Sequence, residues 1–253
     1  MDKFLIEGPT QLNGTVNISG AKNAALPIMT ACIAFPGVYT LNNVPDLRDT
    51  RTMVKLLEII GSKVVVNENQ LIIDTTKCDN PEAPYDLVKT MRASFYVLGP
   101  LISRFGYCKV SLPGGCAWGP RPVDYHIKAL KELGADISLD GGYIIAKGKL
   151  KGSTIQFENS SVGATGNILM ACVNLNDTVI IKNAAMEPEI VDLCHFLQEI
   201  GVSIDGIGTS TLKVQGVPSN TENQSFDYSI IPDRIEAGTF LIGAAMTGGS
   251  ITI

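Results

Sequence analysis

The stretch "EPEIVDLCHFLQEIGVSID" (residues 187–205) reads as an amphipathic helix closed by a glycine and followed by an alternating strand. The same plan is written in "DTRTMVKLLEIIGSKVVV" (49–66) and in "RPVDYHIKALKELGADISL" (121–139). Gly61, Gly134 and Gly201 stand where a left-handed residue ends a helix. They recur roughly every seventy residues, too long for a solenoid unit and suited to a small βα subdomain.

A second kind of helix precedes each copy: "GAKNAALPIMTACIA" (20–34), "DLVKTMRASFYVLGPLI" (86–102) and "SVGATGNILMACVNL" (161–175). These are apolar nearly all round, the pattern of helices buried inside a bundle. Short strands follow in "GVYTLNNV", "GYCKVSLP" and "DTVIIKNA". The chain is therefore expected to be α/β, with three repeated units, each of two helices and several strands. A fourth copy opens with "DRIEAGTFLIGAAMTGG" (233–249) and "SITI", without its amphipathic helix, so the repeat predicts a truncated chain.

Composition narrows the function classes. Of 253 residues, 45% are hydrophobic and 18% charged, as in a folded domain rather than a disordered one. A net charge of −5 gives no support to nucleic-acid binding, which shows a clustered basic face. The uncharged run 24–41 is interrupted by Pro27, Pro36 and Gly37, which argues against a spanning helix and a membrane role. "MDKFLIEGPTQ" lacks the features of a signal peptide. Six cysteines, at 32, 78, 108, 116, 172 and 194, form no CxxC pair; free thiols in a reducing cytoplasm are expected. With His126 and His195 as the only histidines, a metal site is not expected.

Candidate chemistry gathers at helix starts and in "LPGGCAWGPRPVDYH" (112–126). Turn composition keeps Cys116 out of a helix or strand interior. The residues alone leave it either a reactive thiol or a small side chain beside a bend. Lys22 and Asn23 open a buried helix, where backbone N–H groups favour anions, although a lysine there is commonly just solvated. Arg92 puts a charge inside an apolar helix and needs a partner; an internal ion pair would suffice. Ser161, Val162 and Gly163 begin another helix, in a setting suited to a diphosphate. Arg121 carries the planar fork that phosphates favour. His126 reads as a satisfied structural histidine outside the catalytic set.

Taken together, "ISGAKNAALPI" (18–28), "PYDLVKTMRAS" (84–94), "LPGGC" (112–116), GxRPVDxH (119–126), "SVGAT" (161–165), "EPEIVD" (187–192) and "PDRIEAGTF" (232–240) resemble the UDP-N-acetylglucosamine 1-carboxyvinyltransferase family of enolpyruvyl transferases. The resemblance covers the whole chain and about the first three-fifths of a family member. It implies an inside-out α/β barrel lobe of three βαβαββ repeats around buried helices. Residues 22–229 would form this lobe, and residues 1–21 and 230–253 would be pieces of a second.

The implied reaction moves the enolpyruvyl group of phosphoenolpyruvate onto the 3-hydroxyl of UDP-N-acetylglucosamine, at the start of peptidoglycan synthesis, without a cofactor. In family terms Cys116 is the acid and adds covalently to phosphoenolpyruvate, on a mobile loop that departs from the usual wording at Trp118. Lys22, Asn23 and Arg121 would hold phosphoenolpyruvate. Arg92, Arg121, Pro122, Val123, Asp124, Tyr125, Ser161, Val162 and Gly163 would hold the nucleotide sugar. Asp233 and Arg234 sit at the lobe junction, as a structural pair or a secondary contact. The base and further arginines would come from the absent second lobe, so this chain alone is expected to turn over little. Two alternatives are a 3-phosphoshikimate 1-carboxyvinyltransferase, which lacks the cysteine loop and so escapes fosfomycin, and a lobe that binds nucleotide sugar or a partner without catalysis.

Overall fold

The computed structural model describes residues 3, 5, 7–88, 91–112, 123–217 and 224–253. After a short strand β1 (Asn13–Thr15) the first unit holds α1 (Lys22–Ala31), β2 (Gly37–Asn42), α2 (Arg48–Ile60), β3 (Lys63–Asn67) and β4 (Gln70–Asp74). The second begins with β5 (Glu82–Ala83), a short α3 (Tyr85–Val88) and a 3-10 segment (Arg92–Val97) running into α4 (Leu98–Phe105). It continues through β6 (Tyr107–Ser111), α5 (Asp124–Glu132), β7 (Asp136–Asp140) and β8 (Tyr143–Lys147). The third holds β9 (Thr154–Gln156), α6 (Val162–Ala171), β10 (Val179–Lys182), α7 (Pro188–Glu199), β11 (Ser203–Asp205) and β12 (Thr211–Gln215). Then follow β13 (Gln224–Ser229), α8 (Arg234–Thr247) and β14 (Ser250–Thr252).

Three four-stranded sheets share one order: β13-β2-β4-β3, β5-β6-β8-β7 and β9-β10-β12-β11. In each the first pair is parallel and the others antiparallel. A parallel pair needs a crossover, and the inner helices supply it between β5 and β6 and between β9 and β10. The first sheet instead takes its parallel strand from the far end of the chain, with Gln224 opposite Gly37 and Ser229 opposite Asn42. The third unit therefore hands a strand back to the first, which closes the three units around their helices.

The two helix types separate as their patterns dictate. In α1 every residue from Ala24 to Ala31 is buried, and in α6 every residue from Ala164 to Ala171. The amphipathic α2 buries Met53, Leu56, Leu57 and Ile60 while Arg48, Arg51, Lys55 and Glu58 stay exposed. The predicted caps hold: Gly61, Gly134 and Gly201 adopt φ of 104°, 98° and 100°. One expectation changes. The helix read across 86–102 is interrupted, with Met91 extended and α4 restarting at Leu98. Pro100 fits the restart, because it offers no N–H to Tyr96 and sits at least cost in the first turn of a helix. Gly99 beside it lets α4 press onto α6, since a Cβ there would lie 2.1 Å from the Asn167 carbonyl oxygen.

Beyond the sheets, β1 pairs in parallel with β14, and α8 leaves Leu241, Ile242 and Met246 exposed. Two antiparallel crossings join this part to the rest. Ala21 N–H donates to Ile231 O and Asp233 N–H to Ser19 O, both at 2.8 Å.

Candidate active site

The starts of the inner helices converge. A cavity of about 440 Å³ is walled by Lys22 and Asn23 from the first turn of α1 and by Val162 and Gly163 from the first turn of α6. Ala93, Phe95 and Tyr96 come from the 3-10 segment and Met91 from the extended residue before it, Val123 and His126 from the start of α5, and Leu26 and Asp49 complete the lining. Helix starts carry unsatisfied N–H groups and the positive end of the helix dipole. The α1 start has no side-chain cap. Further along, Pro27 lies inside α1 and supplies no N–H to the Asn23 carbonyl. The α6 start is capped by Ser161, whose hydroxyl accepts from Ala164 N–H at 3.3 Å. Such a cavity is built to receive an anion.

Among the described residues, the cation in it is Lys22, whose ammonium lies 3.2 Å from the Asp49 carboxylate, each side chain being a little over one-third exposed. An incoming phosphate or carboxylate would compete with Asp49 for that ammonium. Opposite lies a buried polar cluster. Asn167 accepts from Gly99 N–H at 2.7 Å, donates to Phe95 O at 3.1 Å and lies 2.9 Å from His126 Nδ1. Phe95 packs edge-on against the imidazole, 5.0 Å between centroids.

Of the residues expected from the sequence, Lys22, Asn23, Val123, Val162 and Gly163 meet in this cavity. Ser161 caps the same helix start. Asp124 is exposed in the first turn of α5. Tyr125 turns instead toward Asn159, whose amide donates to its hydroxyl at 3.0 Å, and toward Phe157. Cys116, Trp118, Arg121 and Pro122 lie outside the described residues, as does the side chain of Arg92. Asp233 caps α8 through Ile235 N–H at 2.8 Å and Glu236 N–H at 3.2 Å. Arg234 makes a forked pair with the buried Glu189 at 3.0 and 3.2 Å. Neither Asp233 nor Arg234 lines the cavity. Sequence reading missed Asp49, Asn167 and the place of His126 in the wall; nothing in their local patterns links them to residues far along the chain.

The other cysteines are poor candidates for a reactive thiol. Cys32, Cys78, Cys108, Cys172 and Cys194 are free and buried. Burial pushes the thiols of Cys108, Cys172 and Cys194 up to about 12, and raises Cys32 and Cys78 as well. A thiol so placed is withheld from the thiolate form that reacts.

Comparison with known proteins agrees with this architecture. A model of the EPSP synthase (3-phosphoshikimate 1-carboxyvinyltransferase) family matches residues 6–253, and the chain belongs to that family. Within it, the chain is similar to proteins named UDP-N-acetylglucosamine 1-carboxyvinyltransferase. It is 51% identical to the one from Chlorobaculum parvum over 257 residues and 52% identical to the one from Geotalea uraniireducens over 254. Each alignment takes in 100% of this chain and 60% of the relative, so the chain spans about three-fifths of their length. Among solved structures, the enolpyruvyl transferase NikO from Streptomyces tendae superposes with a TM-score of 0.81 at 23% identity, over 93% of this chain and 56% of that one. An EPSP synthase from Acinetobacter baumannii gives 0.71 at 16% identity, over 96% and 56%. The three-unit α/β architecture expected from the repeats, and the enolpyruvyl-transferase fold implied by the resemblance, are thus the fold observed.

Proposed function

We propose that this chain supplies the phosphate-binding and acid-bearing side of an enolpyruvyl transferase, one that moves the enolpyruvyl group of phosphoenolpyruvate to the 3-hydroxyl of UDP-N-acetylglucosamine. The observation that carries the reading is the convergence of the α1 and α6 starts on one cavity beside Lys22. That arrangement suits substrates that bring a phosphate, a carboxylate and a diphosphate. The choice of acceptor rests on relatives of about 51% identity, whose names specify UDP-N-acetylglucosamine. The family model's name, which specifies 3-phosphoshikimate, is the competing acceptor.

In this mechanism Cys116 gives its proton to the methylene carbon of phosphoenolpyruvate, which leaves the adjacent carbon electrophilic. The sugar hydroxyl attacks that carbon and surrenders its proton to a base. Loss of a methyl proton and of phosphate then restores the alkene on the sugar. Lys22, Asn23 and Arg121 hold phosphoenolpyruvate; Arg92, Arg121 to Tyr125 and Ser161 to Gly163 hold the nucleotide sugar. Residues 22–229 act as one lobe, and 1–21 with 230–253 belong to a second. The base and the closing surface come from the two-fifths of the relatives' length that this chain does not span, so the chain alone gives little turnover. No described helix is long and apolar enough to cross a membrane. We place the reaction in the cytoplasm, as the first step of peptidoglycan synthesis.

Calorimetric titration separates the two acceptors. UDP-N-acetylglucosamine is expected to bind the chain and shikimate 3-phosphate to give no heat; the reverse pattern would assign the other acceptor.

A further inference from the structure

The cluster behind the cavity wall does more than fill space. Asn167 is fully buried in α6, and its amide has a determined orientation. Its oxygen accepts the Gly99 N–H, and its nitrogen faces the Phe95 carbonyl. Flipping the amide would set N–H against N–H and carbonyl against carbonyl, so the NH2 group is the one that meets His126 Nδ1 at 2.9 Å. An amide NH2 only donates. His126 Nδ1 must therefore keep its lone pair, and the ring proton sits on Nε2. Nε2 lies on the cavity side, where a Cβ on Gly163 would come within 3.2 Å of it. The edge-on contact with Phe95 holds the ring plane.

We propose that Asn167 is a positioning residue, which fixes His126 in the Nε2–H tautomer so that it donates a hydrogen bond to an anionic oxygen of the ligand bound at the α6 start. The inference rests on the function proposed above for the identity of that ligand, and on this cluster alone for the tautomer. It also gives Gly163 a reason: a side chain there would press on the ring that makes the donation. The arrangement excludes His126 as a general base, because its free lone pair is held by Asn167 on the side away from the cavity.

The chain has two histidines, and His195 is exposed, so imidazole nitrogen NMR on [15N]histidine-labelled protein reads both rings directly. His126→Gln assigns the signals. The expected spectrum shows His126 with a protonated Nε2 and an unprotonated Nδ1 in the free chain. A protonated Nδ1, or averaging between tautomers, would overturn the proposal. Asn167→Leu keeps the size but offers no donor; it should release the ring to exchange between tautomers and weaken UDP-N-acetylglucosamine about tenfold. If that variant fails to fold, the wild-type spectrum still decides. On saturating the wild-type chain with UDP-N-acetylglucosamine, followed in parallel by calorimetry, the Nε2 signal should shift. Calorimetric binding without that shift would refute the donor role. Absence of calorimetric binding would count against the proposed substrate instead, and the tautomer in the free chain would still decide the role of Asn167.

Discussion

A cysteine attacks as its thiolate, and apolar burial withholds that form. With five of the six thiols buried and raised, brief alkylation of the native chain should label Cys116 alone. Peptide mass mapping checks this, and Cys116→Ala should leave the folded chain unlabelled. A second residue-scale test concerns Gly99, which lies against the Asn167 carbonyl. In an ordinary helix Gly→Ala is favourable, but here the clash reverses the sign. Gly99→Ala should lower unfolding stability in urea by about 2 kcal/mol or more. Lys22, Val162 and Gly163 were legible in the sequence because each sits in a short motif at a helix start. Asp49 and Asn167 were not, since their roles come from partners 27 and 68 residues away in the chain.

At the scale of elements, α7 anchors the returning strand β13 and the start of α8 through two buried carboxylates, Asp192 and Glu189. Asp192 accepts from the Tyr228 hydroxyl at 2.7 Å and from Ile231 N–H at 3.4 Å, while Glu189 holds Arg234. Burial raises the Asp192 carboxyl above its ordinary value, against the opposing pull of those hydrogen bonds. The folded chain thus holds this proton to higher pH than the unfolded chain. The associated stability is complete below the ordinary carboxylate value and is lost as pH rises through the raised one. Asp192→Asn has no such proton to lose. Relative to the parent, the variant should gain stability as pH rises above the ordinary carboxylate value of about 4 and through the raised one, measured by urea unfolding at a series of pH values. The glycine-capped outer helices could be read from sequence because period and cap act locally. The break before α4 could not, because an apolar run looks alike whether it passes through a proline-led restart or a continuous helix.

Across the whole molecule, three like-ordered sheets enclose helices whose starts share one cavity. The repeat made the units visible in the sequence. It did not reveal that β13 completes the first sheet, because strand pairing across almost the whole chain leaves no local mark. The central claim is that this chain forms the Cys116 side of an enolpyruvyl transfer site whose other side lies in the remaining length of its relatives. The direct measurement is phosphate release from phosphoenolpyruvate by this chain joined to the C-terminal two-fifths of the Geotalea uraniireducens relative, with the unjoined chain alongside. The account predicts release by the joined protein that requires UDP-N-acetylglucosamine and vanishes with Cys116→Ala, and little from the chain alone. Steady turnover by the chain alone, release that survives Cys116→Ala, or release that answers to shikimate 3-phosphate instead would contradict it.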